Sequence, residues 1–199
     1  MGLGIRSALS RVSTALREVR AAARSSMGIT DLRRWRATGR TEPAWDERNH
    51  FVGGLIERAS SVLDIGCGAQ TLSRYLPDEC TYQPCDIIEH QAGVWVWDFN
   101  KSAFPKSDAF FDFVVCSGVM EYAKDPRSFL HTVSGLGDQL ILSYAPTDTV
   151  PSKFDRRSAG WVNDLTRHEV QELFAEAGLH WDLVTEWSEQ DIYRLRRDM

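Results

Sequence analysis

"SVLDIGCGAQTLSRYL", residues 61–76, runs a short apolar segment into an aspartate and a glycine turn, and then into residues that favour helix. Val62, Leu63 and Ile65 read as a buried strand, the turn falls at Gly66–Gly68, and a helix is expected over 69–76. Doubly wound α/β sheets bind their ligands at such a strand–turn–helix joint. The residue that needs explaining is Asp64. "GCGAQT" supplies only two glycines of the GxGxxG fingerprint, and a carboxylate beside the turn would repel a pyrophosphate, so a dinucleotide is disfavoured. An acid here suits a ligand that offers a cation, for example an ammonium group held by a charge-assisted hydrogen bond.

Outward from this joint, strands alternate with helices. Residues 43–59 read as a helix opened by Pro43 and loosened by Gly53–Gly54. Strand patterns follow at 81–88, 93–99, 111–118, 139–145, 180–187 and 191–197, with helices at 125–135 and 166–177. Thr166 with Glu169 three residues on is a capping box, and Gly178 closes that helix. The alternation predicts an α/β, Rossmann-like, doubly wound seven-stranded sheet, mostly parallel, ending in a C-terminal antiparallel hairpin.

The chain of 199 residues is 43% hydrophobic, enough for one well-buried core. Its charge is uneven. Residues 1–40 carry nine arginines against Glu18 and Asp31, about +7, which leaves about −12 for residues 41–199 out of the total of −5. This sets a basic arm, 1–40, apart from a main domain, 41–199. In the arm, Ile5, Leu9, Val12, Leu16 and Val19 fall on one helical face. Such a helix can pack on its own domain or a protein partner, lie on a membrane surface, or serve as a mitochondrial transit segment; composition does not separate these. Cys67, Cys80, Cys85 and Cys116 form no CxxC pair and the histidines no ligand spacing, so neither a disulfide framework nor a metal site is expected. No run of 18 apolar residues occurs, which points to a cytoplasmic chain, membrane-peripheral at most, or one in the mitochondrial matrix if the source is eukaryotic.

Asp64-Ile65-Gly66-Cys67-Gly68 resembles the (D/E)-x-G-x-G first motif of the class I S-adenosylmethionine-dependent methyltransferases, and that cofactor carries the cationic group Asp64 asks for. The likeness covers roughly residues 61–187. It implies that the turn of Gly66, Cys67 and Gly68 hugs the methionine part of the cofactor. Asp86, 22 residues after Asp64, would accept the ribose hydroxyls with Ile87 covering adenine, and Asp98 with Phe99 would read the adenine edge. "FFDFVVCSGVMEYAKDPRSFL", residues 110–130, resembles the fourth motif region and places Ser117 at the methionine end. Two departures stand out: Gln70 replaces the third glycine, and Tyr122 stands where the pattern often has histidine. Taken singly, Asp64 also suits a helix cap, and Asp86 and Asp98 suit turns; their joint spacing is what points to a site.

The implied reaction is in-line displacement of a methyl group, driven largely by alignment. Tyr122 is the first candidate to touch the acceptor or take its proton, although an ordinary tyrosine is a weak base at neutral pH; His90 is the second. Segment 144–165 reads as irregular and should wall the acceptor side, with Lys153, Arg156 and Arg157 available to an anionic group or simply solvated. No (D/N)PP(Y/F) sequence follows the fourth strand, which demotes base and glutamine nitrogens, and the acidic body disfavours nucleic acid. The expected acceptor is a small molecule or cell-envelope saccharide. Two rivals remain: a catalytically inactive, cofactor-holding scaffold, and a nicotinamide oxidoreductase, which the incomplete glycine fingerprint disfavours.

Overall fold

The computed structural model describes residues 19–25, 27, 43–106 and 108–197. Residues 19–25 are helical, and most of the arm's expected apolar stripe, Ile5 to Leu16, lies outside the described residues. The domain then runs α1 (Pro43–Gly53), β1 (Ser61–Ile65), a 3-10 turn (Thr71–Tyr75), β2 (Thr81–Asp86), β3 (Trp95–Val96) and β4 (Phe111–Ser117). A second 3-10 turn (Met120–Tyr122) leads to α2 (Pro126–Ser134), β5 (Gly137–Tyr144), α3 (Lys153–Ser158), α4 (Arg167–Glu176), β6 (Leu179–Trp187) and β7 (Gln190–Arg197).

The seven strands form one sheet in the order β3-β2-β1-β4-β5-β7-β6, parallel except that β7 pairs antiparallel with both β5 and β6. The strand order reverses direction at β1, with β2 on one side and β4 on the other. Ile65 is in register with both Cys85 and Cys116, so the three central strands end at one level and open a crevice there. Side chains alternate between the two faces. Leu63, Ile65, Val114, Cys116, Leu140 and Leu142 meet Phe129 and Leu130 of α2 and Val170 and Phe174 of α4. Val62, Phe113, Val115, Ile141 and Ile192 meet Val52 of α1, together with Ile56 and Leu72. By the same alternation Asp64 shares the α1 face with Val62.

Several elements are shorter than the sequence suggests. The helix expected over 69–76 is a single 3-10 turn: Gln70 is left-handed (φ 58°), and Leu76 is extended because Pro77 follows it. The helix expected over 43–59 stops at Gly53, where the amide of Gly54 turns to both His50 and Phe51 carbonyls and the next bonds tighten. The strand expected over 93–99 is two residues long, since the chain leaves the sheet to bury Trp97 against Phe99, Phe104 and Phe129. The segment 144–165, read as irregular, carries α3, whose amide of Asp155 is capped by Ser152 Oγ. The Thr166–Glu169 capping box forms as expected. Among the described residues, no helix is long and apolar enough to cross a membrane.

Candidate active site

A cleft of about 470 Å³ opens where β1, β2 and β4 end. Asp64, the fourth residue of β1, stands at its base with 4% exposure and accepts a 2.6 Å hydrogen bond from Tyr82 Oη. Burial pushes its carboxyl up to about 7; the Tyr82 hydrogen bond opposes this, the Asp86 charge adds to it, and Arg48 opposes it. An acid so placed favours the arrival of a cation.

The turn after β1 is built from strained backbone. Gly66 has φ 76°, and a Cβ there would lie 2.4 Å from Val119 Cγ2, so only glycine fits. Its amide and that of Cys67 donate to Cys85 O, which ties the turn to β2. Gly68 donates its amide to Asp86 Oδ2 at 2.9 Å, and Asp86 Oδ1 accepts the Ile87 amide at 2.6 Å. Each Asp86 oxygen therefore holds one backbone N–H and keeps lone-pair capacity toward the cleft. Gln70, standing where the motif has its third glycine, adopts the left-handed conformation that glycine would take more easily, and it lies off the cleft wall.

Asp64, Gly66, Cys67, Gly68, Asp86, Ile87, His90, Phe99, Ser117 and Tyr122 all line the one cleft. Asp98 does not. Its carboxylate accepts from Lys101 Nζ at 2.6 Å and the Asn100 amide at 3.1 Å, closing a turn, while Trp97, Phe99 and Asn100 face the cleft around it. Tyr122 Oη donates to Ala159 O at 3.3 Å, linking the second 3-10 turn to the opposite wall. Cys67, Cys85 and Cys116 are buried free thiols, and burial raises all three, Cys85 to about 12, which removes them as nucleophiles.

Arg156 and Arg157 are not available to an outside anion. Arg156 is fully buried: Nε donates to Asp164, Nη1 to Ala145 O, and Nη2 to Tyr144 Oη and Asn163 O, with the guanidinium 4.9 Å from the Trp161 ring centroid. Arg157 grips both oxygens of Asp164 and the carbonyl of Trp161. Burial works to raise the Asp164 carboxyl, but the two guanidiniums hold it below the usual range. These arginines therefore fix Trp161, which lines the cleft beside Val150, Asp155 and Ala159. Behind it, Ser25 Oγ of the N-terminal helical segment also donates to Trp161 O, and Ser25 is 4% exposed.

The residue that sequence reasoning missed is Arg48 of α1. It lines the cleft at 7% exposure, donates from Nη1 to Gln190 Oε1 (2.6 Å) and from Nη2 to Ser117 O (3.1 Å), and its buried Nε has no hydrogen-bond partner among the described residues. Ser117 Oγ is likewise buried without a partner. Burial pushes the guanidinium below its ordinary value, opposed by Glu121, Tyr122 and Asp64. The signal was available: Arg48 and Val52 are four residues apart on α1, which puts Arg48 on the buried face of the helix. Trp45, Asn49 and Thr71 join it on this wall, and Glu189 and Gln190 close the cleft from the β6–β7 turn. Among the described residues no cluster of side chains suits a metal ion.

A buried carboxylate, a glycine turn, a second carboxylate that grips the turn, and buried donors without partners fit a ligand that carries a cation, a ribose and an anion. Comparisons with known proteins agree. No protein of curated function matches the sequence significantly. A chain of the complex between the Haloferax volcanii Trm112 methyltransferase activator and a methyltransferase superposes with TM-score 0.63 at 17% identity, covering 85% of this chain and 99% of that one. CalO1, a methyltransferase in calicheamicin biosynthesis in its SAH-bound form, gives TM-score 0.58 at 18% identity, covering 77% and 54%. NcsB1, an O-methyltransferase of neocarzinostatin biosynthesis in complex with S-adenosylmethionine and 2-hydroxy-5-methyl naphthoic acid, gives 0.53 at 17%, covering 77% and 57%. The chain spans little more than half the length of these two biosynthetic enzymes. Residues 35–184 match the family described as "Methyltransferase domain". The chain belongs to that family and is a class I S-adenosylmethionine-dependent methyltransferase.

Proposed function

We propose that the protein methylates a small-molecule acceptor that enters between Trp45, Tyr122 and Trp161, and that Asp64, Asp86, Arg48 and the Gly66–Gly68 turn hold the cofactor. The observation that carries this reading is the Gly68–Asp86 bond inside a cleft that also contains buried Asp64 and Arg48. The cofactor, when bound, supplies a methyl group on a sulfonium that needs no further activation.

The residues around it do the aligning. Asp64 takes the ammonium group, Asp86 the ribose hydroxyls, and Arg48 the carboxylate, with Ile87 and Phe99 on the adenine side. Asp98, turned to Lys101, closes the turn that presents Phe99 and Asn100 rather than meeting adenine itself. Tyr122 has its hydroxyl proton directed at Ala159 O, so it acts as a wall and orienting group, and His90, which also lines the cleft, is the candidate to take an acceptor proton.

The acceptor side is aromatic, with Asp155 and Glu189 at its edge, and among the described residues the cleft's one Lys or Arg is Arg48, assigned to the cofactor. This favours an uncharged or cationic acceptor with a planar face that can stack. NcsB1, bound to a naphthoic acid, shows the fold working beside a planar ring system. A turnover screen that offers phenols, aromatic amines and saccharides, followed by mass spectrometry of methylated product, tests the reading. Product from the planar aromatic set alone supports it; product from saccharides alone replaces the acceptor class; no product despite tight cofactor binding favours the scaffold reading.

A further inference from the structure

Arg48 and Glu121, a base and an acid, share one buried region, yet no hydrogen bond or ion pair forms between them; burial pushes the Glu121 carboxyl up, opposed by backbone hydrogen bonds, Arg48 and Arg156. Gln190, the first residue of β7, stands between them. Its Oε1 accepts from Arg48 Nη1 at 2.6 Å and from Ser143 Oγ at 3.0 Å, and its Nε2 donates to Glu121 Oε1 at 3.1 Å. Glu121 is fully buried, and the same oxygen also accepts the Ala145 amide at 2.9 Å.

The amide has one workable orientation. Turned over, it would set an NH2 against a guanidinium and a carbonyl against a carboxylate, and both contacts repel. The neutral amide therefore spaces the two groups. A direct bidentate pair with Glu121 would use two of the guanidinium's five donors and cancel its charge. Spaced by Gln190, Arg48 keeps a buried Nε without a partner among the described residues and is not paired with a carboxylate at the cleft wall. Gly118 makes room for this arrangement: it has φ 68°, and a Cβ there would lie 2.7 Å from Arg48 Nη1 and 3.1 Å from Gln190 Nε2.

We propose that Gln190 is the positioning residue of the cofactor site, holding Arg48 toward the methionine carboxylate and keeping Glu121 from neutralising it. This rests on the reading of Arg48 as the partner of that carboxylate. Gln190 acts through Arg48, so its loss selects against ligands that carry the carboxylate and spares those that lack it.

The test is calorimetric binding of S-adenosylmethionine and of its decarboxylated analogue to the full chain. Wild type is expected to prefer S-adenosylmethionine by about tenfold or more, the effect of a charge-assisted hydrogen bond. Gln190→Leu should lose about tenfold for S-adenosylmethionine while the analogue stays within about twofold, so that discrimination collapses. Glu121→Gln can keep both hydrogen bonds while removing the buried acid, and should retain or sharpen discrimination. Equal losses for both ligands in Gln190→Leu, or no loss for either, overturn the positioning role. Absence of discrimination in the wild type overturns the reading of Arg48 itself, which is a distinct result.

Discussion

Tyr82 Oη donates to Asp64 Oδ2 over 2.6 Å, and among the described residues this is the one side-chain hydrogen bond to a carboxylate that is otherwise enclosed. One bond does not offset the loss of water, so the acid is pushed from its ordinary 3.8 up to about 7. In the unfolded chain it ionises near 3.8. Between about pH 4 and 7 the folded state therefore binds more protons, and Asp64's contribution to stability is full below pH 4 and lost as pH rises through 7. Cofactor binding has the opposite sense, because a cation needs the carboxylate: affinity should climb between pH 6 and 7.5 and then level off, with proton release seen as buffer-dependent binding enthalpy. Asp64→Asn should melt higher than wild type at pH 8 while binding the cofactor about tenfold more weakly, and its affinity should lose the rise near pH 7. A wild-type affinity that is flat from pH 6 to 8 would contradict the assignment.

Asp86 and Cys67 are neighbours in the cleft with different duties. The carboxylate holds the Gly68 and Ile87 amides and is proposed to meet the ribose, whereas Cys67 contributes its backbone amide to Cys85 O. Hydrogen bonds to a charged group are worth about 1.5–3 kcal/mol each, so Asp86→Ala should weaken cofactor binding by at least about tenfold, and Cys67→Ala by less than about threefold. Titration calorimetry on both variants decides it, and equal affinities for Asp86→Ala and wild type would refute the role.

Gln70 sits at φ 58° in a turn where its side chain meets no wall of the cleft. The left-handed conformation costs a non-glycine residue about 1–2 kcal/mol, while glycine adds about 0.4–1 kcal/mol of unfolded-state freedom. The difference favours Gln70→Gly by about 0.5–1 kcal/mol, readable in urea denaturation, with cofactor affinity unchanged. A destabilised variant would show that the Gln70 side chain holds the turn.

The parts of this molecule legible in its sequence are those whose signal is local. Val62, Leu63 and Ile65 followed by two glycines specify a strand and turn wherever they occur, and Thr166 with Glu169 writes its cap within four residues. Two aspartates that close strands look alike in sequence. Asp86 reaches the Gly68 amide because β2 lies beside β1, while Asp98 meets Lys101 three residues on because β3 is only two residues long. Arg156 and Arg157 read as available to an anionic group or solvated because what buries them, Tyr144, Ala145 and Asp164, is set by the packing of α3 against the end of β5. Arg48 was hidden for the opposite reason: its apolar stripe was visible, but its partners Ser117 and Gln190 lie 69 and 142 residues away.

The N-terminal helical segment is not a free arm at its C-terminal end. Ser25 is 4% exposed, and its hydroxyl shares the Trp161 carbonyl with Arg157 Nη1. Trp161 lines the cleft as a proposed acceptor-side wall, whereas every proposed cofactor contact sits on α1 or at the ends of β1, β2, β3 and β4. Disturbing Ser25 should therefore loosen the wall and leave the cofactor alone. Ser25→Ala removes one bond from a carbonyl that keeps Arg157, so its effect should be small. Ser25→Arg forces a large side chain into a buried position and should displace the segment. The amides of Gly160, Trp161 and Val162, which donate to Arg157 O, Arg156 O and Glu121 O, should then exchange hydrogen about tenfold faster in the Ser25→Arg chain. Calorimetry on the same protein should give an unchanged affinity for S-adenosylmethionine. Unaltered exchange at these three amides would mean that the segment does not support the wall, and a large loss of cofactor affinity would mean that it closes the whole cleft rather than the acceptor side.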